Sequence, residues 1–395
     1  MSLANDYQLL LNDFGLKQVE SESDVIAIDQ KLSSKAKEKL KKTIEHFYAQ
    51  NNLNLEKSID EMYNEYKSSV SDHGYYTGSE VKLVLDACKE LGYKFDKNIF
   101  FGDFPTGDFN ANVRPTQNGY LCLINNGLKR LLYNLPYAWF SAFNQKTLSK
   151  SFLTPQNKDK NKLYKAFAKT IWSINEYHIS NKHTNAFDFD SEYDTMCFIN
   201  VNNLNLALKS FVVAHEVGHV ISGHLDKSTL HAITYGNRSF HTLKRSHEQE
   251  YEADMIAQVI LREIEKKNGF GSSNFLVAGS IFMLCDLMTK KVRLKLLGIE
   301  DKISFSDTHP PSHDRLVLLL NELLNGVKDM NKLSNCLRIL FFVCQFLIIL
   351  DFVESEYDYN KSSYITTFKI PQNYNVMKDI EQFLKISLKN INIFI

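Results

Sequence analysis

Residues 214–224 read Ala-His-Glu-Val-Gly-His-Val-Ile-Ser-Gly-His within an apolar run, and no other feature restricts so strongly what the chain can fold into. Two histidines four residues apart lie one above the other on a single helical face, so the pattern demands a helix and lets both imidazoles close on one metal ion. Phe211, Val212, Val213, Val217, Val220 and Ile221 wrap most of the circumference, which places that helix inside the protein. Glu216 stands one step round from His215, within reach of the proton of a metal-bound water. Gly218 leaves room for a neighbouring element to approach closely.

A second segment supplies what the first lacks. Ser246 and Gln249 have capping-box spacing, so a helix is expected to begin there. Glu250 and Asp254 then share one face, with Glu250 expected as the third metal ligand and Asp254 as the group that orients a ligand histidine through its far ring nitrogen. Two neutral histidines and one carboxylate suit Zn2+ with an open position, and the chemistry implied is metal-assisted hydrolysis. A third segment, Thr308-His309-Pro310-Pro311-Ser312-His313-Asp314-Arg315, opens another helix, with prolines suited to its first turn. His309 and Arg315 are donors for the oxyanion of the reaction; the competing reading has His309 capping the turn and Arg315 pairing with a helix carboxylate. His224 is expected to be structural, since five residues beyond His219 it points away from the metal face. Metzincin spacing would need Gly at position 222 and His at 225, where this chain has Ser222 and Leu225.

At these three segments the chain resembles the gluzincin metallopeptidases, particularly the HtpX and CAAX-prenyl-protease family, with its His-Glu-x-Gly-His, Glu-x-x-Ala-Asp and Thr-His-Pro followed by Arg. The resemblance covers roughly residues 200–325 and faintly 119–128. It extends to soluble bacterial relatives, the Lit-type phage-exclusion peptidases and the ImmA/IrrE-type regulatory peptidases. The long spanning helices of the membrane members are missing, which favours the soluble ones. The resemblance implies an endopeptidase acting on a protein or peptide substrate, with a role in phage exclusion or stress response. The alternatives are a zinc-stabilised interaction module without turnover and a membrane-associated quality-control peptidase.

Composition narrows the partners. Lys plus Arg and Asp plus Glu stand at 46 each in 395 residues, so no nucleic-acid partner is expected, and nothing indicates an oligomeric state. The six cysteines are scattered without zinc-pair or secretory spacing and read as reduced core residues. The N-terminus lacks a basic region followed by an apolar run, so no secretory signal is expected and a cytoplasmic location follows. Residues 337–353 form the one membrane candidate. Bounded by Arg338 and Asp351 and broken by Gln345, the stretch falls short of the roughly 20 residues that span a bilayer and reads as a buried core helix, with peripheral membrane contact left open.

The expected architecture is α+β and predominantly helical: a zincin-like core over residues 100–326, with a small antiparallel sheet beside the zinc helix, between helical regions at 1–99 and 327–395. Residues 35–50 and 56–70 read as polar helices, 79–91 as a packed helix ended by Gly92, and 162–179 as a further helix. Residues 109–113, 120–124, 195–201 and 364–370 read as strands, 274–297 as a long apolar helix and 376–390 as an amphipathic one. Residues 120–124 are either an edge strand open to an extended peptide or an interior strand. Residues 226–245, weakly periodic and holding His231, Tyr235 and His241, are expected to form a lid over the cleft.

Overall fold

The computed structural model describes residues 2–13, 79–104, 109–140, 166–171, 173–174, 177, 195–227, 229–235, 238–268, 273–296, 309–358 and 363–368. The helices expected at 35–50, 56–70 and 376–390 lie outside these residues. Helix α1 is Leu3–Asp13 and α2 is Ser79–Glu90, which ends where Gly92 takes a positive φ of 76°. Strands β1 (Ile99–Phe104), β2 (Ala111–Pro115) and β3 (Tyr120–Asn125) form one sheet and lead into α3 (Asn126–Phe140). The long helix α4 (Thr195–Ile221) is followed by a 3-10 turn (His224–Lys227) and a hairpin of β4 (Thr229–Tyr235) and β5 (Arg238–Lys244). Helices α5 (His247–Asn268), α6 (Asn274–Leu296), α7 (Ser312–Gly326) and α8 (Met330–Ile349) precede a last hairpin, β6 (Val353–Asp358) with β7 (Ser363–Phe368).

The α+β, mainly helical architecture stands, and the sheet lies beside α4. The sheet is mixed, however, not antiparallel throughout: β2 pairs with β3 antiparallel while β1 pairs with β3 parallel, in the order β1-β3-β2. The segment at 120–124 is therefore the interior strand. Alternation divides its side chains. Leu121 and Leu123 meet Tyr7 and Leu11 of α1 on one face, whereas Tyr120, Cys122 and Ile124 join the main core with α4 on the other. Covered on both faces, β3 is buried along its whole length.

One further expectation changes. Residues 195–201 begin α4 instead of forming a strand: β-formers such as Thr195, Phe198 and Ile199 are carried by a helix that continues into a fully buried stretch, and tertiary packing outweighs local preference. Residues 229–244 form the β4–β5 hairpin that joins α4 to α5. Helix α8 starts at Met330, with the Asp329 side chain accepting from the backbone N–H groups of Asn331 and Lys332. Its buried face packs on α3 through Trp139 against Phe346 and Phe140 against Phe342. Among the described residues, 330–348 is the one helical stretch long and apolar enough to cross a membrane, and half of that stretch is buried inside the protein.

Candidate metal centre

Helices α4 and α5 build the site by lying close together. A Cβ added to Gly218 would sit 3.0 Å from the Ala253 carbonyl oxygen and 3.2 Å from its Cα, so any larger residue would press the two helices apart by a few tenths of an ångström. The capping box sets where α5 begins: the Gln249 backbone N–H donates to Ser246 Oγ at 3.3 Å and the Ser246 N–H to Gln249 Oε1 at 2.8 Å. With that start, Glu250 falls in the first turn and faces the two α4 histidines.

The ligand atoms of His215, His219 and Glu250 lie within 4.8 Å of one another, and all three residues are buried. The two Nε2 atoms are 3.2 Å apart, His215 Nε2 is 3.3 Å from Glu250 Oε2, and His219 Nε2 is 3.4 Å from Glu250 Oε1. A tetrahedral ion with bonds of about 2.0–2.1 Å has ligand-to-ligand edges of about 3.3 Å, so these separations are those of a zinc-sized tetrahedron. Both Glu250 carboxylate oxygens are buried and accept no hydrogen bond. Such a carboxylate is costly in a protein interior unless a cation meets it. The donor set and its spacing thus fit the ion expected from the sequence.

Behind His215, Asp254 Oδ1 lies 2.9 Å from Nδ1, as expected for an orienting carboxylate. Asp254 is itself gripped by Arg315, which donates through Nε and Nη2, both at 2.7 Å. The expectation that Arg315 meets the oxyanion does not fit this geometry. Its fork is closed on Asp254, and the guanidinium lies one layer behind the ligand. His309 Nε2 is 3.5 Å from Glu250 Oε2 with its side chain 37% exposed, so this residue does stand beside the ligand, toward solvent. The prolines act ahead of the helix: Pro311 is the N-cap of α7.

Burial and charge pull the two histidines apart. Desolvation disfavours the cation of His215, but the Asp254 hydrogen bond and the adjacent Asp254 and Glu250 charges outweigh it and raise its pKa to about 9. His219 has no carboxylate behind it, and burial with the nearby Arg245 charge holds it well below the ordinary histidine value. Asp254 and Glu250 resist the upward push of burial. Arg315 and His215 keep Asp254 low, and the surrounding histidines, His309 first, keep Glu250 well below the usual carboxylate range.

Two neighbours of the site were not legible as such. Arg245, buried just ahead of the α5 cap, places Nη1 3.5 Å from Glu216 Oε2 and 3.8 Å from Glu250 Oε1, while Nη2 donates to the Val113 carbonyl of β2 at 2.9 Å. One guanidinium thereby ties Glu216 and the ligand carboxylate to the sheet. Its only sequence signal is position, one residue before the N-cap of a ligand-bearing helix. His224 is not among the grouped ligands, in keeping with its expected structural place, yet its Nδ1 lies 2.9 Å from His219 Nδ1. The helix ends at Ile221, and Gly223 at φ 64° folds the chain back beneath His219.

Residues 136–335 match the family model described as Peptidase U49, a span that takes in both ligand-bearing helices and the His309–Arg315 segment. No curated protein and no solved structure matches the chain.

Proposed function

The chain belongs to the Peptidase U49 family and is thereby a peptidase, and from that membership we propose that it is a zinc-dependent endopeptidase cutting an intracellular protein. The observation that carries the metal is the tetrahedral spacing of His215, His219 and Glu250 around two buried oxygens that accept no hydrogen bond. Bound there, Zn2+ supplies a Lewis acid that polarises the scissile carbonyl and acidifies water.

The chain's own residues do the rest. Glu216 is buried beside the ligands, and its Oε2 accepts no hydrogen bond from the protein, which leaves it for the proton of the attacking water. The same carboxyl then delivers that proton to the leaving amine. His309, beside Glu250 at the solvent side, is the donor for the developing oxyanion, and partial desolvation with the Arg315 and Arg245 charges lowers its pKa, leaving a neutral imidazole at neutral pH. Asp254, anchored by Arg315, holds His215 with Nδ1 protonated and Nε2 facing inward.

An extended substrate has a place to lie. Hydrogen bonds from Asn125 N–H to Asn110 O and from Thr116 N–H to Gly119 O mark two hydrogen-bonded pairs of the β2–β3 ladder. Bonded pairs alternate along an antiparallel ladder. Val113, opposite Cys122, therefore turns its N–H and C=O away from β3, toward the edge where no described strand pairs. Ala111 and Val113 present main-chain groups along this edge, and Arg245 links it to Glu216. Main-chain pairing on the β2 edge reads a peptide without regard to its side chains.

An intracellular setting is supported by Cys88, Cys122, Cys285, Cys336 and Cys344, all free and buried. The resemblance to Lit-type peptidases extends the proposal to phage exclusion. The test compares new protein N-termini, and phage plating, in cells making the wild type or Glu216→Gln. The substitution keeps shape and ligands, so zinc content should hold while cleavage falls by about 10² to 10⁴. A biological effect that survives it would replace the peptidase with a zinc-stabilised binding module.

A further inference from the structure

The two candidate ligand histidines are backed by different devices, and only one matches the carboxylate expected from sequence. His215 rests on Asp254. His219, fully buried, rests instead on His224, which in turn places Nε2 3.0 Å from Glu252 Oε2, on a side chain 58% exposed. Ser222 donates to the other oxygen of that carboxylate at 3.0 Å. Resting on the zinc reading above, we propose that His224 and Glu252 form a positioning relay that presents the Nε2 of His219 to the metal and carries its support to the protein surface.

Tautomer chemistry fixes the direction of the relay. The Nε2 atoms of His215 and His219 both face Glu250, so a neutral His219 that offers Nε2 as a ligand must carry its proton on Nδ1. That N–H can only donate toward His224 Nδ1, which must accept, and His224 then carries its own proton on Nε2 and donates it to Glu252. The chain fold makes this arrangement specific to the end of α4. Gly223 in the left-handed region returns His224 beneath His219, and Gly218 packing on Ala253 brings the start of α5, with Glu252, within reach of Ser222 and His224. The backing also differs in kind. A buried ion pair holds His215 rigidly, whereas the support of His219 is neutral at its centre and anionic only at its exposed end.

The experiment is zinc affinity of the full chain, measured by competition with the chromophoric chelator 4-(2-pyridylazo)resorcinol. His224→Ala strands the buried Nδ1–H of His219 and should weaken zinc about 10- to 100-fold, the range for removing a group that orients a ligand. His224→Gln, whose amide oxygen can accept that proton, should recover part of the loss. Glu252→Ala should weaken zinc less than His224→Ala. Melting of the metal-free proteins separates the relay from a mere helix-end role, which would lower metal-free stability and leave zinc affinity unchanged. His224→Ala binding zinc within twofold of wild type overturns the relay; should that variant fail to fold, unchanged affinity in both His224→Gln and Glu252→Ala does so. A wild type that takes up no zinc removes the metallopeptidase reading itself, a result distinct from wild-type affinity in the variants.

Discussion

Stripping the metal and raising the pH should expose the charge stored in His215. In the metal-free chain its pKa is about 9 against 6.5 for an ordinary histidine, since the Asp254 hydrogen bond and the Asp254 and Glu250 charges exceed the cost of burying the cation. A group whose folded pKa is raised contributes stability that is complete below 6.5 and is lost as pH climbs through 9. The gap corresponds to about 3 kcal/mol. The middle of that range, about pH 7 to 8, is where His215 dominates. His219 and His309 are lowered, so their opposite contribution fades within about a pH unit above 6.5, and Asp254 and Glu250, also lowered, change stability only in acid. The raised thiols of Cys88, Cys122, Cys285, Cys336 and Cys344 add a fall of the same sign once the pH comes within about a unit of their free value of 9.0. Urea unfolding of chelator-treated protein at quarter-unit steps from about pH 7 to 8 should show falling stability. With zinc present the slope should reverse, because the ion binds His215 without its proton and affinity rises about tenfold per pH unit below 9. A flat or rising curve for the metal-free chain would refute the assignment.

Other perturbations separate the roles of the surrounding donors. Arg315→Ala leaves Asp254 buried without its bidentate partner and should destabilise the fold by about 3–5 kcal/mol in chemical denaturation; unchanged stability with lost turnover would restore the oxyanion role. His309→Ala should keep zinc and fold while turnover drops by about 10² to 10³, checked by metal analysis beside steady-state cleavage of a substrate found by the N-terminus comparison. Arg245→Ala should retain zinc and lose cleavage, with partial recovery on adding guanidinium; wild-type rates would show that its contacts with Glu216 and Val113 are structural.

What the sequence made legible is local and periodic. The His215 to His219 spacing, the box formed by Ser246 and Gln249, and the stop at Gly92 each act within a turn or two of helix, and each is present as read. Long-range choices were less visible. Whether β1 runs with or against β3 depends on a connection that crosses the sheet, and nothing in Ile99–Phe104 encodes it. Arg315 reads as a donor in any alignment of charges; only the fold shows that its fork is already filled. His224 keeps its expected structural role, but its contact with His219 was not visible, because five residues of continuous helix would turn it away whereas one left-handed glycine brings it back.

The charges buried at the site explain why these separate devices belong together. Glu216, Glu250 and Asp254 contribute three carboxylates, and Arg245 and Arg315 two guanidiniums, all of them nearly or fully buried. Among these five side chains the carboxylates outnumber the guanidiniums by one. A protein interior does not leave such a charge unbalanced; it neutralises it with a proton or a cation. The metal-free chain takes the first course, which is why the proton stays on His215 up to about pH 9 despite burial that opposes it. That proton sits on one of the three residues whose ligand atoms are spaced for a tetrahedral ion. A divalent cation entering among His215, His219 and Glu250 would take over its task and leave the cluster one charge positive, the sign required to stabilise an oxyanion. The raised histidine and the tetrahedral spacing are thus two consequences of one unbalanced carboxylate.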